Sequence, residues 1–553
     1  MQLEHRWLSN WPEKVPKSLE YPQISFGEIL RKSATESPDK VAVCYYGTRM
    51  TFRELDFLAD RFGAALQSLG IEKDDRVAIY LPNIPQFIIS YYGTLRIGGV
   101  VVACSPLYKE RELGHILTDS GAKILVAWDK LHEYAQSVRD KTQLLQVVTT
   151  NIRDYLPSVL AFFSPLNGVE SYPCPGAKDM KKLLTGYQGK PKPVDIEPKQ
   201  DLALLQYTGG TTGTPKGAML THYNLAVNAV QFATWLYLRP GKEVHLSVLP
   251  LYHIYGMTAA MNTPIYTRCT MILIPDPRDI ETILRSIDKY RPTIFCGVPA
   301  TYVALINRPD IQAHDLRSIR ACISGAASLP IEVQRRFEEL SGGRLVEGYG
   351  LTEASPVTHV NPLDDPRRNR PGSIGMPISD TESRIVDSDS GEFELPPEEA
   401  GELVVRGPQV MAGYWNNPEE SKLALRGGWL YTGDIAIMDR DGYFRIIDRK
   451  KDMINVSGLK VWPREVEEVL YEHPAVKEAA VIGISDTESG ETVKAFVVPR
   501  EGYQARVTAE DLVKFCKEKI APYKVPKIIE FRDDFPRTPI GKILRRELRT
   551  QAR

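Results

Sequence analysis

The segment Tyr207–Ala218, YTGGTTGTPKGA, packs anion chemistry into one short stretch. Gly209, Gly210, Gly213 and Gly217 remove side chains, so backbone N–H groups can close around an anion. Thr208, Thr211, Thr212 and Thr214 add hydroxyl donors, and Lys216 adds a positive charge. The loop follows the apolar run Leu202–Thr208, which reads as a strand, and such a loop suits a polyphosphate. Its spacing is not that of a Walker loop, because Gly-x4-Gly-Lys-Ser/Thr occurs nowhere in the chain.

The elements that must position this loop follow from hydrophobic periodicity. Val77–Leu81, Gly99–Cys104, Ile124–Ala127, His245–Leu249, Met271–Ile274, Thr293–Gly297, Ile319–Gly325 and Leu345–Tyr349 read as strands. Thr51–Leu69, Ile280–Lys289 and Pro330–Leu340 carry apolar residues at three and four spacing, as helices do. Strands apolar on both faces, alternating with helices, imply parallel sheets of the α/β class. From about Gly372 the texture becomes β-rich, with strands at Gly401–Gly407 and Tyr443–Ile447. A boundary near Asp448–Asp452 leads to a smaller α+β domain. In it, Pro463–Tyr471 opens a helix, Ala479–Ile484 is a strand, and Thr508 with Asp511 caps a further helix.

Composition narrows the class. The 553 residues carry 69 Lys and Arg against 70 Asp and Glu, which disfavours a nucleic-acid binder. The stretch from Arg500 onward is basic, with 14 Lys and Arg against 8 Asp and Glu. The seven cysteines form no Cys-x-x-Cys pair and read as core residues of a reducing compartment. The start of the chain has no secretory pattern. The most apolar stretch, Leu156–Leu166, is too short and Pro-broken to span a membrane, so the expectation is a cytoplasmic protein with possible peripheral membrane contact.

Five segments in order resemble the motifs of the adenylate-forming superfamily: Tyr207–Ala218, Tyr349–Glu353 (YGLTE), Tyr431–Asp434 (YTGD), Arg445–Gly458 (RIIDRKKDMINVSG) and Pro536–Lys542 (PRTPIGK). The resemblance implies carboxylate attack on the ATP α-phosphate, giving an acyl-adenylate and pyrophosphate. It implies a large multi-subdomain N-terminal adenylation domain at 1–448 and a small mobile α+β C-terminal domain at 449–553. By the same resemblance Glu353 is the Mg2+ ligand, Thr352 bonds the phosphate, Tyr349 and Gly350 with Gly325 and Ala326 enclose adenine, and Asp434 and Arg449 hold the ribose. Lys542 reaches the reacting carboxylate and α-phosphate, Lys451 is the hinge, and Ser457 and Gly458 serve the thioester step with CoA.

For the acid, Pro250–Met257 (PLYHIYGM) resembles the family segment that gates acyl entry, with His253 as its gate. Tyr255, Met257, Val298, Thr301 and Gly348 are the expected pocket walls, and small residues at 325 and 348 are expected to leave volume for a chain. The N-terminal half resembles medium- to long-chain fatty acyl-CoA ligases most. The expected substrates are a fatty acid, ATP and CoA with Mg2+, and no nucleic acid, acting as a monomer or homodimer. An aryl-CoA ligase of the coumarate type, a fatty acyl-AMP ligase and a non-catalytic nucleotide binder are the alternatives.

Overall fold

The computed structural model describes residues 5–157, 170–187, 189–208, 215–457, 459–486, 490–504, 506–537 and 543–551. The chain forms two units, Ser9–Glu382 with Val405–Leu430, and Met1–Leu8 with Ser383–Val404 and Tyr431–Arg553.

The first unit is built on an eight-stranded sheet. Its strands run in the order Gly413–Tyr414, Lys216–Thr221, Leu202–Thr208, Val100–Ala103, Arg76–Tyr80, Ile124–Trp128, Gln146–Thr150 and Lys178–Asp179. From Leu202–Thr208 onward neighbours pair in parallel. Val77, Val101, Leu125 and Leu204 are wholly buried, as a sheet covered on both faces requires. Each such side chain contributes about 1.5–3 kcal/mol on burial. The strands Val244–Ser247, Thr270–Leu273, Val41–Tyr45 and Thr48–Thr51 form a second sheet, and Ala321–Ser324, Arg344–Gly350, Val357–Val360 and Met376–Pro377 a third.

Thr293–Gly297, expected as a strand, meets its neighbours only at single bridges, Ile294 with His245 and Ala321, and Gly297 with Ser324. It sits between the second and third sheets and lends hydrogen bonds to both, through Leu246 N–H to Ile294 O and Phe295 N–H to Ala321 O. The helix Phe52–Ser68 begins at Thr51, whose hydroxyl accepts from Glu54 N–H while the Glu54 carboxylate accepts from Thr51 N–H. This satisfies two of the orphan donors at the helix start. Among the described residues no helix is long and apolar enough to cross a membrane. Of Leu156–Leu166, residues 158–166 lie outside the described residues.

A five-stranded sheet, most of it in the second unit, runs in the order Glu382–Val386, Gly401–Arg406, Trp429–Met438 and Leu425–Arg426, with Phe444–Arg449 also paired to Trp429–Met438. A further sheet is centred on the long antiparallel pair Val476–Asp486 and Gly490–Pro499, with Ile528–Phe531 parallel to the latter. The helices Pro463–Tyr471 and Ala509–Lys517 cover it through Val466, Leu470, Leu512 and Cys516. Thr508 and Asp511 make the expected capping box.

Candidate active site

The strand Leu202–Thr208 and its antiparallel neighbour Lys216–Thr221 form a hairpin, with Thr208 opposite Lys216 and Tyr207 opposite Gly217. Gly209, Gly210, Thr211, Thr212, Gly213 and Thr214 lie outside the described residues. Lys216, read as part of the loop, is the first residue of the returning strand. Its ammonium pairs with the Glu420 carboxylate and lies 5.4 Å from the Tyr414 ring centroid. At Gly217 a Cβ would stand 3.2 Å from the Tyr207 ring and 3.4 Å from Trp415 Cβ, so the absence of a side chain lets these aromatics close on the hairpin.

The strand Arg344–Gly350 delivers Tyr349 and Gly350, and the one-turn helix Thr352–Ala354 follows with Thr352 and Glu353. Tyr349 sits opposite His359 in the adjacent strand, their rings 5.9 Å apart. Glu353 is fixed at both ends: its carbonyl accepts from Met411 N–H at 2.8 Å and its Oε1 from Tyr414 Oη at 2.6 Å. The segment that does this, Met411–Trp415, also pairs with the hairpin, Gly413 to Met219 and Tyr414 to Ala218. Tyr414 and Glu420 were missed in the sequence. The available signal was the Gly-Tyr-Trp run followed by Asn417 and Pro418, a helix start.

Ser324 ends a buried strand, and Gly325 and Ala326 follow it. Ala326 is exposed and holds φ +67°, a conformation costly for a residue with a Cβ and frequent at functional turns.

His253 begins the short helix Ile254–Met257, its Nδ1 accepting from Tyr255 N–H at 3.3 Å. That bond places the ring proton on Nε2, and burial lowers the imidazole pKa to about 4, so His253 is neutral near pH 7. Tyr255 donates to Ile323 O at 2.9 Å, and Met257 and Thr301 are buried. Val298 precedes the helix Pro299–Ile306 that carries Thr301. The space beside the two glycines is filled from within. A Cβ at Gly325 would meet Tyr255 Cε1 at 3.0 Å, and one at Gly348 would meet Ile323 Cγ2 at 2.8 Å.

In the second unit, Asp434 and Arg449 are cross-strand partners joined by an ion pair of 2.6 Å. Asp434 is buried, and Thr432 Oγ1 accepts from its N–H at 3.1 Å. Gly433, at φ +70°, turns its N–H to Glu402 Oε1 at 3.1 Å, and Glu402 Oε2 pairs with Lys450 at 2.8 Å. Lys451 is exposed on the single turn Lys450–Asp452. Ser457, exposed at φ +51°, follows the strand Ile454–Val456, which pairs with Leu459–Val461. Gly458 and Lys542 lie outside the described residues. Among the described residues no three His, Cys, Asp or Glu side chains cluster as a metal site. Glu353, bonded to Tyr414 beside the hairpin, offers a single carboxylate, which fits Mg2+, an ion that keeps most of its shell as water and phosphate oxygen.

The chain matches the model of the AMP-binding enzyme family over residues 30–415 and that of the AMP-binding enzyme C-terminal domain over 465–542. It is 45% identical to a protein of Bacillus subtilis (strain 168) named long-chain-fatty-acid–CoA ligase, covering 99% of this chain and 98% of the relative. A relative of the same name from Escherichia coli O6:H1 is 42% identical over the same shares. Among solved structures, the anthranilate CoA ligase AuaEII in complex with anthranoyl-AMP is similar with a TM-score of 0.85 at 29% identity, covering 96% of this chain and 98% of that one. ATP-bound MatB from Rhodopseudomonas palustris is similar with a TM-score of 0.84 at 29% identity, covering 96% and 99%.

Proposed function

The chain belongs to the AMP-binding enzyme family, and from that premise we propose that it activates a fatty acid as its acyl-adenylate and passes the acyl group to coenzyme A. The observation that carries the choice of acid is the whole-length likeness to relatives named long-chain-fatty-acid–CoA ligase. In the first step a carboxylate oxygen attacks the α-phosphorus and pyrophosphate leaves with the bonding pair. In the second the CoA thiolate attacks the acyl carbon and AMP leaves.

Two anions meet in the first step, so charge neutralisation is the main demand on the protein. Lys216 supplies a cation by exchanging Glu420 for phosphate, and Thr208, opposite it in the hairpin, supplies a hydroxyl. Gly209–Thr214 supply backbone donors, and Thr352 a further hydroxyl. Mg2+ would be held through Glu353, and when bound it neutralises phosphate charge. Tyr349 and Gly350 with Gly325 and Ala326 take the adenine, Asp434 accepts the ribose hydroxyls with Arg449 beside it, and Lys542 balances charge on the reacting carboxylate and α-phosphate.

The acyl chain enters past His253 along Tyr255, Met257, Val298 and Thr301. Because His253 is neutral, it shapes that entry without fixing the carboxylate by charge. Residues 449–553 act as a mobile domain turning at Lys451, with Ser457 and Gly458 serving CoA. The cysteines are all free, in keeping with a reducing compartment such as the cytoplasm.

The test is pyrophosphate release with MgATP and CoA over acetate, octanoate, palmitate, benzoate and coumarate, with AMP and acyl-CoA followed by mass. Highest turnover on an aliphatic acid with acyl-CoA formed is expected. Turnover confined to aryl acids would overturn the choice of acid, and acyl-AMP without acyl-CoA would overturn the ligase.

A further inference from the structure

The C-terminal helix Arg545–Gln551 begins with a guanidinium whose three nitrogens are all engaged by carboxylates. Arg545 Nη2 and Nε hold the two oxygens of Glu467 at 2.7 and 3.2 Å, while Nη1 reaches Asp448 Oδ1 at 2.9 Å and Asp452 Oδ2 at 3.4 Å. Asp452 is shared with Arg549 at 2.9 Å. The three acids are buried and come from three elements: Asp448 from the strand Phe444–Arg449, Asp452 from the turn after it, and Glu467 from the helix Pro463–Tyr471. Asp448 Oδ2 also accepts from Arg464 N–H, and Glu467 Oε1 from Val481 N–H, both at 2.7 Å. Burial works against the charge on Arg545, but Glu467, Asp448 and Asp452 outweigh it and raise its pKa, so the group stays protonated.

Asp448 precedes Lys451 in the chain, and Asp452, Glu467 and Arg545 follow it, so one side chain ties together backbone from both sides of that position. The return to Arg545 is anchored on its other arm as well. Arg537 bridges Ile543, Leu544 N–H donates to Pro536 O at 2.8 Å, and Arg537 pairs with Glu478 on the strand Val476–Asp486. Residues 538–542 lie between these two arms in sequence, and Arg545 is three residues beyond Lys542.

We propose that Arg545 is a positioning residue for adenylation: its fork on Asp448, Asp452 and Glu467 fixes the helix Arg545–Gln551 to the strand leading into Lys451. This rests on the ligase reading, in which Lys542 serves the first half-reaction and not the second. A planar fork reaching three carboxylates cannot be reproduced by lysine, which offers a single point charge. Small misplacements of a reacting group cost on the order of 10²-fold in rate.

The experiment measures the two half-reactions separately on the full-length chain, as pyrophosphate release from fatty acid and MgATP and as acyl-CoA formation from supplied acyl-AMP and CoA. The Arg545→Met variant is expected to lose about 10²-fold in the first and stay within about threefold in the second. Arg545→Lys, which keeps the charge and secures a folded variant, is expected to lose on the order of tenfold in the first alone. Equal loss in both half-reactions would mark a purely structural role and overturn the proposal, as would no loss in either. Wild-type protein inactive in both half-reactions would instead overturn the ligase reading and this one with it.

Discussion

Tyr414 donates its hydroxyl to Glu353 Oε1 at 2.6 Å while its ring stands 5.4 Å from Lys216 Nζ. One side chain thus touches both the cation of the phosphate hairpin and the carboxylate of the YGLTE turn. Its own backbone is locked by pairing with Ala218 and by donating N–H to Ser421 Oγ at 2.8 Å. Two segments about 140 residues apart in sequence are therefore held in one geometry by a third.

Removing only the hydroxyl should loosen Glu353 and leave the ring under Lys216. Tyr414→Phe is expected to raise the Mg2+ concentration needed for half-maximal adenylate formation about 10- to 100-fold, the usual cost of losing the group that orients a metal ligand. A Mg2+ titration of pyrophosphate release checks this. An unchanged midpoint would show that Glu353 needs no help from Tyr414.

Glu420 occupies Lys216 where the phosphates are proposed to bind, so the nucleotide must displace a carboxylate. Glu420→Gln removes that competitor and keeps the shape. Titration calorimetry with ATP should show tighter binding, by roughly fivefold for a pair in partial contact with solvent. Weaker binding would mean that Glu420 orients Lys216 toward the phosphates instead of competing for it.

The buried His222, His245 and His359 and the half-buried His253 are neutral near pH 7, and this weakens the fold in acid. Burial lowers His222 and His253 to about 4 and His359 to about 3, and it lowers His245 to about 3 against the opposing pull of Glu243. Between the unfolded value of 6.5 and these folded values the unfolded chain binds more protons, so stability is complete above 6.5 and falls as pH drops. Each group adds up to about 1.4 kcal/mol per pH unit, and four together add at most about 5.5. Thermal melting should give a level Tm above about pH 7 and a steep fall from pH 6.5 toward 4. A level Tm down to pH 5 would contradict the neutral burial of these rings.

How far the sequence led depended on the range of the signal. The cap of Thr508 with Asp511 is local, and it stands where the pattern put it. The buried strands were equally legible, because Val100–Ala103 or Leu202–Thr208 can only be satisfied inside a sheet. Thr293–Gly297 has the apolar content of a strand, yet what decides its pairing is the geometry of two sheets it does not belong to. Tyr414 and Arg545 were invisible for the same reason. A two-residue strand has no period, and nothing local to Arg545 announces carboxylates at 448, 452 and 467. The volume expected beside Gly325 and Gly348 failed on a further ground, since a missing side chain leaves space only when no neighbour fills it.

That filling makes Gly325 a site where chain length should be sensed. An added Cβ would stand 3.0 Å from Tyr255 Cε1 and 3.2 Å from Cζ, closer than the ring can accept at rest. Tyr255 cannot simply withdraw, because Ile323 O holds its hydroxyl at 2.9 Å and also accepts from Tyr302 at 3.3 Å. Gly325→Ala must therefore shift the Tyr255 ring, which is proposed to line the acyl path, by a few tenths of an ångström, at a stability cost of about 1–3 kcal/mol. Acids long enough to pass Tyr255 should suffer most, and kcat/KM for palmitate is expected to fall on the order of tenfold more than that for octanoate. Steady-state kinetics on the two acids decide it, with a melting curve to measure the packing cost. An equal loss on both would place Tyr255 away from the acyl path and leave only the packing cost.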